Sequence, residues 1–144
     1  MRLADDDFTL FGLPERHALD RAELDERWRQ LQAEVHPDRF AGEGASAQRI
    51  AMQWAVRVNE AYQRLKDPLK RAAYLCERRG APLQAESNTA MPAVFLMQQM
   101  QWREALDEAD GAAAVERLDA EVAAAERAML ADVACRLDEA GDAP

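Results

Sequence analysis

The sequence is poor in the residues that catalytic and metal sites require. Its 144 residues include two histidines, two serines and two cysteines, with no glycine-rich phosphate loop and no metal-spaced histidine cluster. Cys76 and Cys135 lie far apart and form no C-x-x-C pair, so neither a zinc site nor an iron–sulfur cluster is supported. We expect two free thiols in a reducing cytoplasm, no metal or cofactor, and no enzymatic activity.

Residues that favour β-structure are also scarce. Valine, isoleucine and threonine total 10, whereas alanine alone supplies 30 residues, and the strong helix formers dominate the composition. No run of about 18 apolar residues exists, so we expect no transmembrane helix. The acidic start at Asp5, Asp6 and Asp7 lacks the pattern of a secretion signal. The composition predicts an all-α protein in the cytoplasm.

Positive charge is nearly absent from the second half of the chain. Residues 1–80 carry 14 basic and 14 acidic side chains, whereas residues 81–144 carry 4 and 13, a net charge of −9. This balance disfavours nucleic acid and anionic membranes as partners. It also indicates two functional halves, the second with an acidic surface.

Local signals predict a pair of long helices in the first half. Asp20 and Glu23 match a capping box, and an apolar face at helical spacing runs behind them to Val35. Pro37 disfavours helical geometry at the preceding residue, so the first helix should stop there. Residues 38–45 are interpreted as a loop. His17, which precedes the pair, is expected to be a solvated loop residue.

The remaining helix boundaries follow from capping residues and breakers. Ser46 can cap the second long helix, whose apolar face includes Ile50, and Asp67-Pro68 ends it and begins another. Thr89 can cap a helix with Pro92 in its first turn. Beyond the break at residues 110–111, a last helix carries a nearly heptad apolar stripe from Val115 to Leu137. We predict domains at residues 1–79 and 88–144, with a linker at 80–87.

The most distinctive feature is His36-Pro37-Asp38, between the two long helices. Taken alone, the tripeptide could be a helix stop with Asp38 as a turn former. Its surroundings, including Asn59-Glu-Ala-Tyr-Gln-Arg-Leu-Lys-Asp-Pro68, resemble the J-domain, which stimulates ATP hydrolysis by DnaK-type chaperones. The resemblance covers residues 8–79 and implies an antiparallel helical hairpin with short flanking helices.

The resemblance implies a binding loop rather than a catalytic one. Pro37 would fix the loop and turn Asp38 outward as an acceptor for a partner's arginine, while His36 would order the loop or touch the partner. We assign chaperone binding to these three residues and to the nearby Arg29 and Arg39. J-domains usually carry a basic stripe on the preceding helix, and here the charges are mixed, which favours a specialised partner.

Three segments are similar to the HscB family of J-type co-chaperones in iron–sulfur cluster assembly: Asp7-Phe-Thr-Leu-Phe-Gly-Leu-Pro14, Val35-His-Pro-Asp-Arg-Phe40 and the stretch from Ala93 to Glu108. The last resembles the helix that docks the scaffold IscU, and the first partner would be an HscA-like chaperone. The implied scaffold contacts are Leu96, Met97, Met100, Gln101, Glu104 and Glu108. Gln101 stands where the family often has an acid.

Two alternatives remain open on the sequence. Leu96, Met97 and Met100 could instead form bundle core, unless Phe95 and Leu106 serve that purpose. HscB proteins usually have a third helix in this C-terminal bundle, which this chain lacks, so the chain is truncated or its two helices pack differently. If the two helices pack differently, the apolar stripe from Val115 to Leu137 would be partly uncovered, which favours self-association. The rival function is a structural or dimerising helical protein with an incidental tripeptide.

Overall fold

The computed structural model describes residues 2–83 and 90–141. Within these ranges the regular elements are all helical and no strand occurs: α1 (Asp7–Phe11), α2 (Arg21–Val35), a 3₁₀ turn (Pro37–Phe40), α3 (Ala45–Lys66), α4 (Pro68–Arg78), α5 (Ala93–Glu108) and α6 (Ala112–Gly141). The all-α prediction is confirmed. The described parts of Met1–Pro82 and Arg136–Pro144 form one compact unit, and Leu83–Cys135 forms another. The end of α6 therefore belongs to the first unit, whereas the sequence prediction assigned it to the second domain.

The first unit is built on the hairpin of α2 and α3. Leu24, Val58 and Leu65 are fully buried between the helices, and the rings of Trp28 and Tyr62 stack with centroids 4.5 Å apart. The flanking helices α1 and α4 close the same core. These apolar residues recur every three or four positions, which is why each helix buries one face.

Capping residues set the helix boundaries largely as the sequence predicts. The Asp20 side chain accepts a hydrogen bond from the Ala22 backbone N–H, and the Asp67 side chain caps α4. Glu23 does not complete a capping box; its carboxylate pairs with Arg27 at 3.0 Å. The reason is that Arg27 lies one turn further along the same helix, within reach of that carboxylate.

The segment between the long helices differs from the prediction at both ends. Residues 37–40 form a 3₁₀ turn rather than irregular loop, because proline suits a first helical position. The second long helix begins at Ala45, and Gly44 with φ of 94° is its N-cap, with no side-chain cap. Glycine alone adopts this left-handed backbone without strain. The prediction that Ser46 caps the helix was therefore wrong; Ser46 lies in the first turn.

The N-terminal segment is held by a buried carboxylate. Asp7 is inaccessible to solvent and pairs with Arg57 and Arg64 of α3, each at 2.9 Å. The Asp7 backbone N–H donates to the Tyr74 hydroxyl at 3.0 Å. A buried charge is tolerated only with such partners, so these contacts fix α1 against α3 and α4.

His17 is buried, and its prediction as a solvated loop residue was wrong. Its ring Nε2 lies 3.0 Å from the Pro68 carbonyl oxygen, and its backbone N–H donates to the Asp138 carboxylate at 2.6 Å. The same carboxylate accepts from the Ala18 N–H at 3.0 Å. Both partners are distant in sequence, so no local pattern signals the burial.

The second unit consists of α5 and the larger part of α6, joined by residues 109–111. Pro92 is the N-cap of α5 rather than a first-turn residue, and Thr89, the predicted cap, lies outside the described residues. Leu106 is exposed and does not serve a core as expected. Along the α6 stripe, Val115 and Met129 are exposed, and Leu137 packs on the first unit's core.

Candidate functional site

The tripeptide forms a closed turn at the tip of the α2–α3 hairpin. His36 ends α2, and its ring Nδ1 accepts a hydrogen bond from the Asp38 backbone N–H at 3.2 Å. The His36 carbonyl accepts from the Arg39 N–H at 3.0 Å. Proline has no backbone N–H and a fixed φ, so Pro37 and these two bonds define the conformation. His36 therefore orders the loop, which was one of its two predicted roles.

The Asp38 carboxylate points into solvent. Its side chain is 93% exposed, and the nearest ionisable partner is the His36 ring, with Nδ1 3.7 Å from Oδ2. No arginine or lysine in the described part of the chain pairs with this carboxylate. Both oxygens can consequently accept a bidentate arginine from another molecule.

Arg29 and Arg39, the two arginines predicted to bind the chaperone, differ in their contacts. Arg39 is exposed directly after Asp38. Arg29 lies further back on α2, where its guanidinium pairs with Glu26 at 3.2 Å. The structure thus brings Arg39 beside the tripeptide, while Arg29 is partly neutralised.

The charges along α2 largely cancel one another. Arg21 and Asp25 pair at 2.9 Å, and the Tyr62 hydroxyl donates to the same carboxylate at 2.7 Å. The hydrogen bond from Arg21, followed by that from Tyr62, lowers the pKa of Asp25 below its usual 3.8. These pairs explain physically why the mixed sequence of α2 gives no basic stripe.

A second candidate surface lies on α5. Leu96, Met97 and Met100 are 46%, 60% and 69% exposed, and Gln101, Glu104 and Glu108 are exposed as well. At about 100° per residue these six positions span an arc of about 140° on one face of the helix. We call this set the α5 face. It presents apolar side chains at one end and carboxylates at the other.

The α5 face is distinct from the side of the helix that is protected. The half-buried residues of α5 are Phe95, Gln98, Gln99 and Trp102, which occupy the opposite arc. Exposure of the three apolar residues disfavours the alternative in which they form core. Methionine side chains are suited to an adaptable contact surface.

Sequence reasoning missed an apolar groove beside the tripeptide. It has a volume of about 430 Å³, and its lining includes Val35, Phe40, Ile50 and Trp54. The periodicity of α3 places Ile50 on the buried face, yet its side chain is 55% exposed. The spacing identifies the face correctly, but Ile50 lies near the start of α3, where its side chain is left uncovered.

Metal-binding clusters and membrane-spanning helices are both absent from the described residues. Across residues 2–83 and 90–141, no group of three or more His, Cys, Asp or Glu side chains is placed to hold a metal ion. Cys76 and Cys135 are not joined in a disulfide. None of the described helices is sufficiently long and apolar to span a bilayer.

A helical hairpin with His-Pro-Asp at its tip is the architecture of the J-domain. The family model of the HSCB C-terminal oligomerisation domain matches residues 91–143. The Bordetella petrii "Co-chaperone protein HscB homolog" is 56% identical over 140 residues, covering 96% of this chain and 82% of the relative. The Burkholderia mallei homologue is 54% identical over 143 residues, covering 97% and 82%.

Solved structures agree with this assignment. Chaperone HscB from Vibrio cholerae matches with a TM-score of 0.79 and 38% identity, covering 95% of this chain and 82% of that one. The human co-chaperone protein HscB matches with a TM-score of 0.87 and 28% identity, covering 98% and 72%. The chain belongs to the HscB family of co-chaperones, as the resemblance predicts.

Proposed function

We propose that this protein stimulates the ATPase of an HscA-like DnaK-type chaperone and delivers an IscU-type iron–sulfur scaffold to it. The observation that carries the proposal is the Asp38 carboxylate, 93% exposed on a turn fixed by Pro37 and the His36 ring. Such an acceptor is preorganised for an arginine of the chaperone. The protein acts here as a binding partner, and the hydrolysis takes place on the chaperone.

Each of the two surfaces is proposed to bind a different partner. Chaperone binding is proposed for His36, Pro37 and Asp38 with Arg29 and Arg39, within a J-domain at residues 1–79. Scaffold binding is proposed for the α5 face, within residues 88–144. Because the apolar members of that face are exposed, their burial against the scaffold would supply affinity, while Glu104 and Glu108 would set orientation and association rate.

The proposal is tested by measuring ATP turnover of the HscA-like chaperone with increasing amounts of this protein. Asp38→Asn removes the negative charge and keeps the shape, so it should abolish stimulation without changing the melting temperature. Stimulation by the variant equal to that of the parent would refute the assigned role of the loop.

Self-association remains a prediction, supported by the exposed Val115 and Met129 on the α6 stripe and by the name of the matching family model. The cytoplasmic location expected from the sequence also stays a prediction. Sedimentation velocity over a range of protein concentrations tests self-association, with Met129→Gln as the variant expected to weaken it.

A further inference from the structure

The groove beside the tripeptide is lined mainly by apolar side chains. Its apolar lining consists of Val35, Phe40, Ala47, Ile50, Ala51 and Trp54. The four residues from α3 fall at positions i, i+3, i+4 and i+7, so they share one face of that helix. The side chains of Ile50, Phe40 and Trp54 remain accessible at the groove, which leaves apolar surface available for burial by another molecule.

The groove adjoins the candidate chaperone-binding turn. Val35 immediately precedes His36, and Phe40 follows Arg39, so two residues that line the groove bracket the turn in sequence. A molecule whose arginine pairs with Asp38 is thereby brought beside the groove. Phe40 belongs to the 3₁₀ turn, so the groove is lined in part by that turn.

The two charged side chains that line the groove are both acidic. Glu34 and Glu43 complete its lining, and neither forms an ion pair with any residue in the described ranges. No arginine or lysine lines the groove. An apolar side chain flanked by basic groups is therefore the complementary ligand, and an acidic segment is disfavoured.

We propose that this groove is a second part of the chaperone-docking surface and receives an apolar side chain of the chaperone that lies next to basic residues. The inference rests on the proposed function, since the occupant is the molecule whose arginine meets Asp38. The carboxylate of Asp38 carries the stimulating contact, and the groove supplies affinity. Loss of a groove contact should thus raise the concentration needed for stimulation and leave its maximum unchanged.

Two residues of α3 provide a matched pair of variants. Ile50 and Met52 are each 55% exposed, but they lie about 200° apart around the helix, and Met52 does not line the groove. We compare Ile50→Gln with Met52→Gln in the full chain, using stimulation of the chaperone ATPase as the readout. Glutamine is a good helix former and replaces either apolar side chain by a polar one, and equal melting temperatures confirm that both variants fold.

Ile50→Gln should raise the half-maximal concentration about fivefold or more, because it removes an apolar contact. Met52→Gln should stay within about twofold of the parent. Glu34→Gln together with Glu43→Gln should also raise that concentration and reduce its dependence on salt.

Equal half-maximal concentrations for Ile50→Gln and the parent would overturn the inference. So would a dimer of the parent that Ile50→Gln dissociates, since the groove would then be covered by a second copy. Failure of the proposed function gives a different result: the parent itself does not stimulate, or Asp38→Asn stimulates equally well.

Discussion

Asp138, near the end of the last helix, accepts a hydrogen bond of 2.6 Å from the backbone N–H of His17, which precedes the first long helix. Both residues are buried within the first unit. Asp138 accepts a second bond from the Ala18 N–H, so one carboxylate satisfies two backbone donors. The first unit thus depends on a residue that lies 121 positions after His17 in the sequence.

Removal of this carboxylate should destabilise the first unit. Asp138→Ala leaves a buried backbone N–H without its acceptor, which costs about 1–3 kcal/mol. We expect that loss in the free energy of unfolding, measured by urea denaturation followed through tryptophan fluorescence. Asp119→Ala, at an exposed acid of the same helix, should change stability by less than about 0.5 kcal/mol.

The same contact refines the expected behaviour of a fragment. A fragment of residues 1–82 retains the hairpin core and its caps, so it should fold. Because it lacks Asp138, it should unfold at a lower urea concentration than the full chain. A fragment as stable as the full chain would show that the Asp138 contact contributes nothing.

Acid should destabilise the first unit in part through Asp25. Hydrogen bonds from Arg21 and then Tyr62 lower the pKa of Asp25 in the folded protein below 3.8. The unfolded chain therefore takes up its proton first as the pH falls. The stabilisation is fully present above about pH 4 to 5 and is lost as the pH drops through the folded pKa.

Asp25→Asn tests this dependence because it removes the titrating group and keeps the shape. The decrease in melting temperature between pH 6 and pH 3 should be smaller in the variant than in the parent. Asp119→Asn, at an exposed acid of α6, is the control for the loss of one carboxylate. An equal decrease in melting temperature for Asp25→Asn and the parent would contradict the assignment of this pH dependence to Asp25.

Local signals in the sequence account for much of the fold. Asp20, Pro37 and the Asp67-Pro68 pair act on the backbone within a few residues of themselves, and the helix boundaries they predict are observed. Ser46 failed as a cap because glycine at position 44 offers the backbone an earlier start. Which of two neighbouring residues becomes the N-cap depends on the backbone conformation that leads into the helix, and residue propensity alone does not predict it.

Burial set by distant partners could not be predicted in the same way. His17 acquires its partners from Pro68 and Asp138, and neither is signalled by the residues around it. The exposure of Ile50 likewise depends on tertiary packing. The tripeptide was singled out by its local motif and the α5 face by the resemblance of residues 93–108 to the HscB family, and their binding roles stay predictions.

The α5 face should tolerate truncation without loss of fold. Replacing Leu96, Met97 and Met100 together by alanine removes side chains that are already exposed, so the melting temperature should hardly change. Binding of IscU should weaken well over tenfold, at roughly 1 kcal/mol or more per side chain. Isothermal titration calorimetry measures the affinity. Leu106→Ala, at 54% exposure on another face of α5, is the matched control and should bind normally.

The acidic end of that face should behave differently. Glu104→Ala and Glu108→Ala should weaken binding less than the apolar changes, and the deficit should shrink as salt is raised. Loss of a folding transition in the triple variant would instead identify its three residues as core, where each truncation costs about 2–5 kcal/mol.

The most direct test asks whether one chain must hold both partners. ATP turnover of the HscA-like chaperone is measured with IscU and an equal mixture of two variants: Asp38→Asn, with an intact α5 face, and the triple alanine variant, with an intact tripeptide. The account predicts that the parent and IscU stimulate synergistically, whereas the mixture shows only the weak stimulation of the triple variant. Synergy in the mixture equal to that of the parent would contradict delivery by a single molecule.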